Sequence, residues 1–254
     1  MRWRATDMRV AVAGGTGVVG RLIVSEARGR GHDVLSLSRA DGVDLTTGTG
    51  LDLTGVDTVV DVSSVSATAA DAAIRFFRTV SRTLVDAGAA AGVKHHLALS
   101  VVGVPEAPFG YYAGKAAQER VVRGGPVPWT ILRATQFHEF AGQVLDAARI
   151  GGVSLVPKMR SQPLAASAVA QRIVDLLEAG PQGIAREIAG PREERMADLS
   201  RRWAAHHGER RRIVEVPLPG AWGAAIRDGR ILPGPDADLL GPSFDDWLRA
   251  SSPA

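Results

Sequence analysis

The chain has no cysteine in its 254 residues. That excludes disulfides, a thiol nucleophile and thiolate metal sites. Histidine offers no substitute: His95-His96 and His206-His207 are adjacent pairs, and neighbouring side chains point apart, which is poor ligand spacing. Aromatic residues are scarce, at 5%, and the formal net charge is only +3. No ring separates the arginines within Arg201-Arg202 or Arg210-Arg211-Arg212, so these clusters read as solvated faces rather than a nucleic-acid stripe. No run approaches the roughly 20 apolar residues of a membrane span. No apolar run of signal-peptide type follows Met1-Arg2-Trp3-Arg4, so no signal peptide is expected. No G-x-S-x-G elbow is present, which argues against serine hydrolase chemistry. These absences predict a soluble, cytoplasmic protein that acts on a small molecule, with no metal, nucleic acid or membrane as partner.

What is present is ordinary globular composition, 45% hydrophobic and 22% charged. Short apolar runs alternate with helical periodicity. Val10–Ala13, Asp33–Leu37, Val43–Leu45, Val56–Val62, Val93–Val101 and Trp129–Leu132 read as strands. Between them, helices are expected after Gly17, over 67–91 and over 111–123. Strands separated by helices imply βαβ units, hence an α/β fold with a doubly wound parallel sheet. Beyond Phe137 the rhythm changes: a helix over 138–148, a glycine–proline-rich stretch, a helix capped by Ser167 and ending near Ala179, then short mixed elements. The expected organisation is an extension over 1–7, a dinucleotide-binding core over 8–137, and a segment over 138–254 that completes the core and forms a small α/β substrate lobe.

Gly14-Gly15-Thr16-Gly17-Val18-Val19-Gly20 follows the first strand and opens the first helix. Glycines at 14, 17 and 20 suit a tight turn, close backbone approach to a pyrophosphate, and helix packing on the strand. The helix N-terminus then offers free N–H groups and partial positive charge. The second strand ends in Ser38-Arg39, with no acid at either position. An arginine there can hold a ribose 2′-phosphate bidentately, which favours NADP(H) over NAD(H). Asp44-Leu45 sits where an adenine contact would fall. Ser63 and Ser64 close the Val56–Val62 strand, beside the expected nicotinamide ribose.

Tyr111 and Lys115 are four apart on one predicted helix and share a face. A phenol with an ordinary pKa near 10 needs a neighbouring cation to give up its proton near neutrality. The same lysine can reach the nicotinamide ribose. Ser100 ends the preceding strand, where its hydroxyl could hold a substrate carbonyl. His138 could contact substrate or serve as a second acid/base, or it could be simply a helix-start histidine. Phe137, Phe140, Met159 and Trp222 could line an apolar pocket or belong to the core.

These features together resemble the atypical and extended short-chain dehydrogenase/reductases, in particular the NmrA-like NAD(P)H-binding branch. The glycine turn, Tyr111–Glu119, Trp129–Phe137, Gln162-Pro163 and Phe244–Leu248 carry the likeness. The resemblance implies cofactor contacts from Gly14, Thr16, Gly17, Val18, Val19, Ser38, Arg39, Asp44, Leu45, Val62, Ser63, Ser64, Lys115, Ala134 and Gln136. It implies Tyr111 as general acid, Lys115 as its partner, Ser100 assisting, and substrate contacts at Phe137 and His138. The implied activity is hydride transfer between NADP(H) and a small carbonyl or conjugated substrate. Asp61-Val62-Ser63-Ser64 departs from the Asn-Asn-Ala-Gly segment of the best-known members. Two alternatives stay open: a non-catalytic NADP(H) sensor of NmrA type and, more weakly, a nucleotide-sugar epimerase.

Overall fold

A computed structural model describes residues 7–66, 69–107 and 109–251. In chain order its elements are β1 (Arg9–Ala13), α1 (Val18–Gly29), β2 (Asp33–Leu37), β3 (Thr58–Asp61), α2 (Ala70–Ala91), β4 (His95–Val101), α3 (Gly110–Gly124), β5 (Trp129–Ala134) and α4 (Phe140–Ala147). There follow β6 (Arg149–Ile150), β7 (Val153–Pro157), β8 (Arg160–Ser161), α5 (Ala166–Ala179), β9 (Gly183–Ile184), β10 (Ile188–Ala189), β11 (Glu194–Arg195), α6 (Met196–His206), β12 (Arg212–Val216), α7 (Gly220–Asp228), β13 (Asp238–Leu239) and α8 (Phe244–Ala250).

The main sheet runs β2-β1-β3-β4-β5-β10-β13, with β9 also paired to β5. Every pairing in it is parallel. Alternation along each strand divides the core into two layers. Val10 and Val12 of β1 join Val60, Leu97 and Leu132 against Val19, Ile23 and Ala27 of α1 and Val169, Ile173 and Leu177 of α5. Ala11 and Ala13 face the opposite layer, with Val59 of β3 and Val80 and Leu84 of α2. Helices therefore cover both faces of the sheet, which is why β3 is buried at all four residues. The doubly wound α/β fold is the one expected from the sequence.

A second hydrophobic cluster joins α4, α6, α7 and α8 to Val104, Ala107 and Tyr112. Beside it lies a three-stranded sheet, β12-β7-β6. The chain beyond Phe137 does not keep to this cluster: it returns to the main sheet as α5, β9 and β10, and again as β13.

Two local expectations are corrected. Val43–Leu45 is not a strand; Asp44 pairs only with Thr49 across a turn. Gly42, Gly48 and Gly50 all have positive φ, at 79°, 79° and 73°, and the Asp44 carboxylate accepts from Thr46 N and Oγ1 at 2.8 and 2.6 Å. Such local bonds compete with strand pairing. Ser167 is not the cap of α5; the N-cap is Ala165, with no side-chain bond, and burial of Leu164, Ala165 and Ala166 sets the start instead.

Candidate functional site

The chain leaves β1 through a turn that only small residues fit. Gly14 has φ +84°, and a Cβ there would lie 2.9 Å from the Val62 carbonyl oxygen. A Cβ on Gly20 would lie 2.0 Å from the Gly14 carbonyl oxygen, so α1 packs directly on the turn. Gly17 caps α1 with no side-chain bond, so the first N–H groups of the helix are open for an external acceptor. Thr16, Gly17 and Val18 are exposed, whereas Val19 is buried in the core. Because β1 lies between β2 and β3, and the helices that follow β1 and β3 cover opposite faces, this turn stands at the topological switch point.

At the end of β2, Arg39 is exposed and makes no ion pair among the described residues. Ser38 is committed elsewhere: its hydroxyl donates to Asp41 Oδ2 at 2.5 Å, and Ser36 donates to the same oxygen at 2.9 Å. These hydroxyls hold the Asp41 carboxyl below its usual range. Asp41 lies four residues beyond the end of β2, outside the strand-end position where such an acid is expected. A 3-10 turn over Arg39–Asp41 folds the acid back. Asp44 spends its carboxylate on Thr46, with Arg39 the nearby cation, and Leu45 packs partly into the core.

Tyr111 opens α3 at the carboxyl ends of β3 and β4. Its hydroxyl lies 3.2 Å from Ser64 Oγ, and its ring meets Phe77 edge-on at 5.3 Å. Lys115 is 4% exposed. Its Nζ donates to the Leu99 carbonyl and to Gln118 Oε1, both at 2.9 Å, and lies 4.4 Å from the Phe77 ring centroid and 5.8 Å from that of Tyr111. The lysine is thus turned inward, behind the phenol. Asp61, fully buried, accepts from Ser63 N and Oγ at 3.0 and 2.6 Å and from Gln118 Nε2 at 2.8 Å. Val62, Ser63 and Ser64 therefore follow β3 on a turn fixed by its own last residue.

Other expected participants lie elsewhere. Ser100 donates to Glu119 Oε1 at 2.6 Å, and Glu119 is held bidentately by Arg133 at 2.9 and 2.7 Å. Glu119 lies eight residues beyond Tyr111, about 12 Å along the helix, so the serine at the phenol is Ser64, not Ser100. Tyr112 faces the second cluster, receives a hydrogen bond from Gln136 at 2.9 Å and lies 5.0 Å from Trp222; burial pushes its phenol up. Gln136 also accepts from Ser161, and Ala134 is a buried β5 residue.

His138 is 1% exposed and lies against Phe244 and Trp247 at 5.4 and 5.2 Å. Burial drives it down to about 4. Its ring sits in the core, packed against these two aromatic side chains. Phe137 packs against the α1/α5 layer, and Phe140, Met159 and Trp222 belong to the second cluster.

With this geometry in view, residues 14–179 match the profile of a family described as NAD(P)H-binding. The chain belongs to that NAD(P)H-binding family. The NmrA-like resemblance fits within it. No curated protein matches the sequence. In fold, the chain is similar to triphenylmethane reductase of Citrobacter sp., solved with NADP(H), at 16% identity and TM-score 0.68 over 96% of this chain and 100% of that one. It is also similar to an NADPH-dependent quinone oxidoreductase of Escherichia coli, at 18% identity and TM-score 0.61 over 87% and 88%. A UDP-N-acetylglucosamine 4-epimerase of Bacillus cereus gives 14% identity and TM-score 0.65 over 96% and 95%. These likenesses establish a Rossmann-like fold.

The residues present fit the cofactor class of an NAD(P)H-binding protein. The exposed, uncapped start of α1 after the glycine turn would hold a pyrophosphate. Among the described residues no group of three or more His, Asp or Glu could hold a metal ion, and no helix is long and apolar enough to cross a membrane.

Proposed function

We propose that the protein is an NAD(P)H-dependent oxidoreductase of short-chain dehydrogenase/reductase type, using NADP(H) in preference to NAD(H) on a small carbonyl or conjugated substrate. The observation that carries this reading is the Tyr111 phenol, 3.2 Å from Ser64 Oγ and one helical turn from the buried Lys115. A bound nicotinamide would supply or accept the hydride. Tyr111 would give its proton to the oxygen on which negative charge develops. Ser64 orients the hydroxyl, and the Lys115 charge favours the phenolate left behind. Exposed Arg39 supports the preference for a 2′-phosphate.

The test is turnover by the purified protein with NADPH and NADH against carbonyls and quinones. Tyr111→Phe should lower kcat about 10²–10⁴-fold with cofactor affinity unchanged. An unchanged kcat would remove Tyr111 as proton donor. A second reading, a non-catalytic NADP(H) sensor, draws on the inward lysine, whose two hydrogen bonds both go to protein atoms. Tight NADPH binding with no turnover across the panel would favour it.

A further inference from the structure

We propose that Asp61 is the counter-ion of Lys115, linked to it through the side-chain amide of Gln118, and that this buried bridge positions the Tyr111–Ser64 pair. Tyr111, Lys115 and Gln118 fall at i, i+4 and i+7 on α3, so one helix face carries all three toward the sheet. Among the described residues, Lys115 has only neutral groups in direct contact: the Leu99 carbonyl, Gln118 Oε1 and the Phe77 ring. A buried ammonium without a counter-charge is costly. One amide away, Asp61 Oδ2 receives Gln118 Nε2 at 2.8 Å. The amide can be assigned one way only, with its oxygen toward the cation and its N–H toward the anion. Its dipole thereby joins the two charges.

The surrounding acids and arginines among the described residues are committed elsewhere or exposed. Among the described residues, Glu119 on α3 is taken by Arg133 and Ser100. On β4, buried His96 faces Asp61; burial holds its imidazole below the usual range against the opposing pull of that carboxylate. On α2, Asp71, Arg75, Arg78 and Arg82 are exposed, and Ser81 adds a neutral hydroxyl at 3.5 Å from Asp61. The other Asp61 oxygen holds Ser63 N and Oγ, and so fixes the turn that presents Ser64 to Tyr111. One carboxylate thus balances the lysine behind the phenol and sets the serine in front of it. Asp61 and Gln118 are positioning residues, and their consequence for proton transfer rests on the reading of Tyr111 given above.

The test does not depend on activity. The chain has three lysines, Lys94, Lys115 and Lys158, so lysine labelled with carbon-13 at Cε gives one NMR signal for each. In Asp61→Asn the Lys115 signal should pass to the neutral amine at a pH lower by about one, a tenfold loss of proton affinity, while Lys94 and Lys158 stay put. Gln118→Met should move it in the same direction by breaking the link, and serves alone if Asp61→Asn does not fold. Asp61→Asn combined with Gln118→Glu, which relocates the carboxylate against the ammonium, should restore the wild-type titration. A Lys115 signal that titrates as in the wild type in the folded Asp61→Asn or Gln118→Met protein overturns the bridge. Loss of the reductase reading would leave this readout intact.

Discussion

Replacing Gly20 by alanine sets two opposing effects against each other within one helix. In the interior of a helix, alanine is favoured over glycine by about 1 kcal/mol. At Gly20 the new Cβ would lie 2.0 Å from the Gly14 carbonyl oxygen and 2.8 Å from Gly15 Cα. Relieving that overlap requires α1 to shift by about 1 Å, which disturbs the layer in which its own Val19, Ile23 and Ala27 pack with Val10, Val12, Val169 and Ile173. Forced overpacking of this kind costs about 1–3 kcal/mol. The net expectation is a loss of up to about 2 kcal/mol in urea unfolding. The same carbonyl accepts from Gly17 N–H at 3.0 Å, so the turn deforms as the helix moves, and NADPH affinity should fall at least about tenfold. Gly29, on the same helix, provides the control. A Cβ there meets nothing within 4 Å, so Gly29→Ala should stabilise by about 0.5–1 kcal/mol and leave NADPH binding alone. Urea melts and nicotinamide fluorescence titrations measure both quantities. Wild-type stability and wild-type affinity in Gly20→Ala would refute the claim that close helix–turn packing shapes this site.

Arg39→Ala should weaken NADPH binding about 10–100-fold, the loss of a charge-assisted contact worth about 1.5–3 kcal/mol, and leave NADH nearly unchanged; equal losses for both cofactors would remove the 2′-phosphate role. Asp41→Asn should act in the opposite sense, strengthening NADPH relative to NADH several-fold by removing a negative charge from the end of β2. His138, held down to about 4 by burial, is neutral in the fold and must charge on unfolding in acid. Its contribution to stability is therefore complete above its ordinary value of 6.5 and is lost as pH falls from there toward about 4, by up to about 3 kcal/mol. His138→Phe should flatten that part of the stability–pH curve; an unaltered slope would show that acid lability arises elsewhere.

The alternation of Val10 and Val12 with Ala11 and Ala13, the helical spacing of Val19, Ile23 and Ala27, and the glycines at 14, 17 and 20 made the first βαβ unit legible, because each reports a local geometric need. Tyr111 and Lys115 were legible as a pair for the same reason: four residues on a helix is one turn. What lies beyond local spacing was not legible. Ser100 and Ser64 are equivalent as strand-end serines, and only the register of β3 and β4 against α3 decides which one meets the phenol. Asp61 and Gln118 lie 57 residues apart and carry no motif; an acid closing an otherwise apolar strand was the one available sign. The Val43–Leu45 expectation failed because apolar alternation was read without weighing the glycines at 42, 48 and 50. His138 was drawn toward substrate by its place after β5, whereas Phe244 and Trp247, a hundred residues later, enclose it.

The path of the chain beyond Phe137 limits how the second cluster can move against the sheet. It builds α4 and β7 in the second cluster, crosses to the main sheet for α5, β9 and β10, goes back for α6, β12 and α7, lays β13 beside β10, and ends in α8. A cluster whose chain crosses to the sheet and back this often is tied to it at several points, so it cannot swing on a single hinge. Two short segments bridge the sheet end and the second cluster: the turn after β4, where Gly103 abuts Arg230 and Ile231, and the start of α7, where Trp222 lies beside Tyr112. Hydrogen exchange should accordingly show sheet and lobe protected as one cooperative unit, with early exchange confined to those two segments.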